Sequence, residues 1–289
     1  MLNDQLGSYL AGLIESDGSI IIPKENSKNT PTISIVFHID DKPLANHLYR
    51  RLGYGSLEII ESNKAVKLYT RGKHSILKTI FLINGKFRTP KIEKLHKLIK
   101  YINKNWDEQI KNPIHLLPLD NSPLDNNSWL SGFSDGDANI NINISWPDKA
   151  KNGYGQIKLT FEIVQTRLDK EHLYKYKSIM QKIAIFLGSK LEKHSVSKYD
   201  RTGKQSAWRA RIINKKGATI LANYFDVYPM FSSKHLNYLS WRKAYIILII
   251  NREHIGVNKL NTYNKIKLIK DEMNTKRTIF NWDHLNNFY

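Results

Sequence analysis

The chain of 289 residues carries 45 Lys and Arg against 26 Asp and Glu, a formal charge of +19, with 41% hydrophobic residues and no cysteine. That length and apolar content suit one large or two medium globular domains and exclude wholesale disorder; zero cysteine excludes a disulfide framework, a thiolate zinc site and a cysteine nucleophile. The positive excess points to a polyanionic partner, but does not decide between packaging nucleic acid and acting on it. The longest apolar run, Ala244 to Ile250, is far short of the roughly 20 residues of a membrane span, and Met1 to Gln5 has neither the basic and apolar regions of a secretory signal nor the look of a transit peptide. A soluble, intracellular protein without membrane contact is expected.

The first element is a helix carrying Tyr9-Leu10-Ala11-Gly12-Leu13-Ile14-Glu15-Ser16-Asp17-Gly18. Strands follow over Ser19–Ile22 and Ile33–Ile39, then an amphipathic helix ending at Leu52-Gly53, where Gly suits the C-cap. Strands Leu57–Ile60 and Val66–Thr70 and helices Thr79–Leu82 and Pro90–Asn103 complete the first half. Asn112 to Asn127, rich in Pro and Asn, reads as a linker. The opening motif then recurs 120 residues on, as Trp129-Leu130-Ser131-Gly132-Phe133-Ser134-Asp135-Gly136-Asp137-Ala138. Strands Asn139–Ile144 and Ile157–Val164, a helix ending at Leu187-Gly188, strands Leu191–Val196 and Trp208–Ile213, and helices Gly217–Asp226 and Lys234–Asn251 repeat the first half's order. The fold expected is α+β, two similar α-β-β-α-β-β-α halves: residues 1–111, a linker 112–127, and 128–251. A helical extension over 252–289, with a pattern at Lys265–Met273, has no counterpart; it could extend a contact with the polyanion or brace the second half.

Gly12 and Ser16, like Gly132 and Gly136, stand four residues apart and share a helical face. Glycine inside a helix costs roughly 0.5–1 kcal/mol relative to Ala, so backbone-to-backbone packing of the two motif helices would have to offset it; filling of an ordinary helix contact is the alternative. Packed together, the helices bring Asp17 beside Asp137. Both end their helices, where the dipole disfavours carboxylates, and they repel each other, so the pair calls for a cation. Oxygen ligands with room for water suit Mg²⁺ or Ca²⁺; two solvated carboxylates are the alternative. Glu15 and Asp135 point elsewhere on the helix and are expected to be plain polar residues or to pair with Lys or Arg.

Along Asn139-Ile140-Asn141-Ile142-Asn143-Ile144-Ser145, polar and apolar residues alternate with the period of a half-buried strand. Asn139, Asn141, Asn143 and Ser145 would then face outward, as base readers or as a solvated sheet face. Arg209 and Arg211 share a face suited to guanine edges or phosphate; Gln156 and Lys158 share another, as do Lys67, Tyr69 and Arg71 in the first half. Thr89-Pro90-Lys91 reads as N-cap, N1 and N2 of a helix with Ile92, Leu95, Leu98, Ile99 and Ile102 apolar, and Ser232-Ser233-Lys234 opens its counterpart. A cation at a helix N-terminus is disfavoured, and here it occurs twice; two flexible surface lysines are the alternative.

Leu10 to Gly18 resembles the LAGLIDADG motif of homing endonucleases, departing at Glu15 and Ser16; Leu130 to Ala138 is a looser match, with Ser134 and a terminal Ala138. The resemblance, to the double-motif single-chain type, spans about Leu6 to Asn251. It implies a pseudo-twofold fold with the motif helices at the interface, saddle-shaped antiparallel sheets in the DNA major groove, and Asp17 and Asp137 as metal ligands. It further implies that Lys234, and its counterpart Lys91, are active-site lysines and that Gln165 positions water; Asp41 stands at the first-half counterpart, a departure from the family's pattern, with a core or surface role as the alternative. The activity implied is Mg²⁺-dependent cleavage of both strands of a long DNA site across the minor groove, leaving short 3′ overhangs, by a monomer; Ca²⁺ would bind without supporting the cut. An intron-encoded, mitochondrial origin is implied as well. The rival reading is an intron-RNA splicing maturase on the same scaffold, and one chain can do both; a repressor would gain nothing from carboxylates facing a polyanion.

Overall fold

The computed structural model describes residues 2–24, 27, 29–106, 112–146, 155–167, 175–195, 207–253 and 259–289. They form two compact units: Met1–Asp137 with Trp282–Tyr289, and Ala138–Asn281. The boundary follows the last residue of the second motif helix, so both motif helices lie in the first unit.

In that unit α1 (Leu2–Asp17) leads directly into β1 (Gly18–Ile21). Strands β2 (Thr32–His38), β3 (Ser56–Ile60) and β4 (Ala65–Arg71) complete an antiparallel sheet of order β1-β2-β4-β3. Ile20, Ile33, Ile35, Phe37, Val66 and Leu68 alternate onto one buried face. Helix α2 (Lys42–Leu52) ends on Gly53 at φ 71°, the left-handed cap anticipated there. Helix α3 (Lys73–Ile83) is much longer than the Thr79–Leu82 expected, because Ile76, Thr79, Ile80 and Ile83 supply a buried stripe with helical spacing. Helix α4 (Ile92–Asn105) buries Leu95, Leu98, Ile99 and Ile102, as its pattern predicts, but starts two residues later than Pro90.

The stretch 112–127, irregular apart from a 3₁₀ turn over Leu124–Asn126, is tied down along its length. Asn103 exchanges hydrogen bonds with both main-chain groups of Ile114 (2.9 and 3.0 Å), and the Asn84 amide donates to the His115 carbonyl at 2.8 Å. Asp120 N–H donates to the Phe87 carbonyl at 2.8 Å. The stretch delivers the chain to α5 (Trp129–Asp137), whose start is bonded to α1: Ser128 Oγ donates to the Gln5 carbonyl at 2.6 Å, and Ser128 N–H to Gln5 Oε1 at 2.9 Å. The last residues of the unit place the Phe288 and Tyr289 rings 5.4 and 5.9 Å from that of Tyr9.

The second unit repeats the plan. Strands β5 (Ala138–Ser145), β6 (Gln156–Thr166), β7 (Glu192–His194) and β8 (Ala207–Arg211) form an antiparallel sheet of order β5-β6-β8-β7, with α6 (Lys177–Phe186), α7 (Lys215–Val227) and α8 (Ser233–Tyr245). Of the expected strand Leu191–Val196, Val196 lies outside the described residues. Helix α8 stops short of the expected Asn251 and passes into one π-helical turn, Ile246–Ile250, in which Asn251 N–H donates to the Ile246 carbonyl at 2.8 Å. Helix α9 (Lys259–Asp271) packs on α8 and β5. Beyond it Asn274, at φ 53°, exchanges two hydrogen bonds with Asn237 (2.9 and 3.1 Å), and Arg277 donates to the Leu236 carbonyl and Ser240 Oγ. As far as Asn281 the extension therefore braces the second unit. None of the described helices is long and apolar enough to cross a membrane.

Candidate active site

The two motif helices cross where their small residues meet. A Cβ added to Gly12 would collide with the Trp129 carbonyl and the Phe133 amide of α5, and one added to Gly132 with the Tyr9 carbonyl and Leu13 amide of α1. At Gly136 it would collide with the Ser16 side chain and lie 3.1 Å from the Asp17 carboxyl carbon. Glycine is thus required at each position by an opposing helix, which accounts for its presence inside helices despite its propensity. The same closeness brings together the helix ends that carry Asp17, exposed, and Asp137, half-buried.

Lys91 reaches this point from the turn preceding α4. Thr89 Oγ1 accepts the Lys91 N–H at 3.2 Å, and the ammonium donates to the main-chain carbonyls of Ile14 (2.9 Å), Gly18 (2.9 Å) and Ser16 (3.4 Å). The side chain therefore leaves its own helix N-terminus, where it is disfavoured, for the C-terminal end of α1, where the carbonyls are. Burial pulls its pKa below the usual lysine range, and the carboxylates of Glu15, Asp137 and Asp17 oppose that shift. Part of the compensating charge demanded by the motif acids is thus a lysine.

Glu15 and Asp135 are both buried, and each accepts a hydrogen bond from an aromatic side chain of the other motif copy. Glu15 accepts the Trp129 indole N–H at 2.6 Å, the Thr89 N–H at 2.6 Å and the Arg88 N–H at 3.0 Å. Asp135 accepts the Tyr9 hydroxyl at 2.6 Å. Tyr9 and Trp129 open the two motif copies, so each copy's aromatic residue donates to the other's buried acid. Burial pushes the Glu15 carboxyl up to about 7, against the pull of its hydrogen bonds. Sequence reasoning missed these four residues as a set; the signal available was the match of aromatic and acidic positions between copies. Arg88 was missed too. Its guanidinium bonds Asp120 (2.6 Å) and the Ser122 carbonyl (2.6 Å) and lies 5.6 Å from the centre of the Trp129 ring.

In the second unit Ser232 caps α8 as expected, its Oγ accepting the Lys234 N–H at 3.2 Å, and Lys234 is half-buried. Gln165 lies across from Trp208 on β8. The first-half counterpart follows from strand register. Gly18 pairs with Ile35, 17 residues on, and Ala138 with Ile163, 25 residues on, so Gln165 corresponds to Phe37. Asp41 stands four residues further, closing a 3₁₀ turn before α2, and Phe37 is buried.

On the second sheet Asn139, Asn141, Asn143 and Ser145 face Glu162, Thr160, Lys158 and Gln156 across the β5–β6 ladder, forming one polar face. Arg209 and Arg211 share that face, and both engage Glu192, at 2.7 and 3.0 Å. Their hydrogen bonds and charge hold the Glu192 carboxyl below its ordinary range even though burial pushes it up. On the first sheet Lys67, Tyr69 and Arg71 alternate outward, with the Arg71 guanidinium 4.3 Å from the centre of the Tyr69 ring.

Residues 10–104 and 130–245 match the family model described as LAGLIDADG endonuclease. The chain belongs to the LAGLIDADG endonuclease family. It is 29% identical over 312 residues to the intron-encoded DNA endonuclease aI3 of Saccharomyces cerevisiae, covering 99% of this chain and 74% of that protein. It is 32% identical to an uncharacterized cox1 intron-2 protein of Schizosaccharomyces pombe, over 91% of this chain and 72% of that one. The LAGLIDADG meganuclease I-AabMI, solved bound to uncleaved DNA, has the same fold, with a TM-score of 0.68 at 19% identity and 93% and 99% of the two chains covered. The paired motif helices, with Asp17 and Asp137 at their ends, are therefore the LAGLIDADG helices of this chain.

No cluster of three or more His, Cys, Asp or Glu side chains suited to a metal occurs among the described residues. Two accessible carboxylates at carbonyl-rich helix ends still fit Mg²⁺, which keeps several waters and takes one or two carboxylates.

Proposed function

We propose that this protein is a site-specific DNA endonuclease that cuts both strands of a long double-stranded target with the help of Mg²⁺. The observation that carries this reading is the meeting of the Asp17 and Asp137 helix ends with the Lys91 ammonium, on helices whose approach requires glycine. Those two carboxylates would hold the metal, which when bound supplies Lewis-acid polarisation of the phosphate and a more acidic water. Lys91 lies close enough to both carboxylates to feel their charge, and its ammonium would stabilise the negative charge developing on the phosphate oxygens. Lys234 would do the same for the other strand. Gln165 would orient the attacking water there; Phe37 cannot, and Asp41, four residues further on, would take that part on the first-half side, so the two half-sites are chemically unequal.

The polar sheet faces would carry the DNA contacts: Asn139, Asn141, Asn143, Ser145, Gln156, Lys158, Arg209 and Arg211 from one sheet, Lys67, Tyr69 and Arg71 from the other. Asparagine suits adenine edges and arginine suits guanine. Held by Glu192, Arg209 and Arg211 would meet the duplex already oriented. We take residues 1–111 and 128–251 as the two functional halves joined by 112–127, with 252–289 as a brace, acting as a monomer of organellar, intron-encoded origin.

The test is incubation of the purified chain with duplex DNA spanning the uninterrupted form of its own locus, with Mg²⁺ and then with EDTA. A double-strand cut with short 3′ overhangs that EDTA abolishes is the expected result. Tight DNA binding with no metal-dependent cut would overturn the nuclease reading, and preferential binding of the intron RNA would put a splicing maturase in its place.

A further inference from the structure

We infer that Trp129 and Glu15 are positioning residues for Lys91, so that the second motif copy sets the geometry of the lysine belonging to the first half. The inference rests on the role proposed above for Lys91, but its geometry stands apart from that role.

Trp129 opens α5 and is fully buried, with its indole N–H 2.6 Å from Glu15 Oε2. Glu15, on α1, uses the same carboxylate to take the main-chain N–H groups of Arg88 and Thr89, the third and second residues before Lys91. Thr89 in turn accepts the Lys91 N–H, and the Lys91 ammonium returns to the carbonyls of Ile14, Ser16 and Gly18 at the end of α1. The contacts close a loop from α1 through Glu15, the 88–89 backbone and Lys91 back to α1. Trp129 is where α5 enters it. Without the indole donor, one oxygen of a buried carboxylate loses a hydrogen bond that fixes its rotamer, and the 88–89 backbone loses its register against α1. A hydrogen bond at 2.6 Å between fully buried partners is costly to leave unmade.

The mirrored contact, Tyr9 hydroxyl to Asp135 at 2.6 Å, shows the arrangement is built twice. The shorter acid meets the donor of longer reach, and the longer acid meets the indole. Each copy thereby anchors the other's buried carboxylate.

The test uses Trp129→Phe, which keeps a ring against Phe133 (4.7 Å between centroids in the native chain) and removes the N–H, and Glu15→Gln as a second variant. Acylation of the full chain with acetic anhydride, read lysine by lysine by mass spectrometry, reports on Lys91 without reference to cleavage. In the native protein Lys91 should react slowly against exposed Lys100. In either folded variant its relative reactivity should rise several-fold while Lys100 is unchanged. Unchanged Lys91 reactivity in both variants would overturn the inference. On target DNA, Trp129→Phe should slow one strand's cleavage by roughly 10- to 100-fold, the scale on which ångström misplacement acts, and leave a nicked product. Equal slowing of both strands would mark a merely structural role and contradict the inference. A native protein that cuts nothing would instead overturn the nuclease reading, leaving the acylation result to decide this one.

Discussion

The Lys91 ammonium rests on three carbonyls at the end of α1 and lies near three carboxylates, so its charge is set by its surroundings more than by solvent. Lys91→Met should therefore lower the cleavage rate by roughly 10²–10³-fold, the scale of one lost charge-stabilising donor, with DNA affinity reduced far less; single-turnover kinetics would show it. The acid Asp120 offers a second test. Burial raises its pKa, but hydrogen bonds from Ser122 and the Arg88 guanidinium win and hold it below the ordinary carboxylate value. A depressed folded pKa means that its stabilisation is complete above the unfolded value of about 3.9 and is lost as pH falls below it. Urea midpoints for native and Asp120→Asn protein should therefore differ at pH 6 and converge as the pH is lowered below 4. A gap that widened on acidification would show the sign to be wrong. Individual roles were only partly legible in the sequence. Asp17, Asp137 and the two lysines announced themselves by sitting at the wrong ends of helix dipoles. Glu15 and Asp135 did not, because their partners are aromatic donors 114 and 126 residues away.

At the level of elements, the α1–α5 crossing is the contact on which the site depends. In an isolated helix Gly→Ala stabilises by about 1 kcal/mol. Here an added methyl at Gly12 or Gly132 meets main chain, which cannot yield as a side chain does. Each substitution should cost about 3 kcal/mol or more, the upper range for overpacking, measurable as a fall in the urea midpoint; a gain in stability would refute the crossing. The motif helices and their sheets were readable because their signals are local: glycine spacing, period-two alternation, a Gly C-cap. Strand register was not. The hairpin after α5 is eight residues longer than that after α1 (pair separations of 25 against 17 residues), so the register counterpart of Gln165 is Phe37 and not the Asp41 expected. The start of α3 was missed because its first turn, Lys73-His74-Ser75, is polar and only packing reveals its stripe.

Over the whole molecule the charge of +19 belongs to a chain whose most informative residues are negative. If six to ten phosphates are neutralised on the polar sheet faces, log K against log salt should fall with a slope of about −5 to −9, read from fluorescence anisotropy on target duplex. A slope near −1 would remove the sheets from the interface. Two carboxylates facing a polyanion weaken binding unless a cation lies between, so their presence makes sense for a chain that cuts. The decisive measurement compares native protein with Asp17→Asn and Asp137→Asn on the same target in Mg²⁺. The account predicts that each variant loses double-strand cleavage by roughly a thousandfold or more, the scale of a lost Lewis-acid contribution, while binding DNA at least as tightly as the native chain. Variants that cut at the native rate would contradict it.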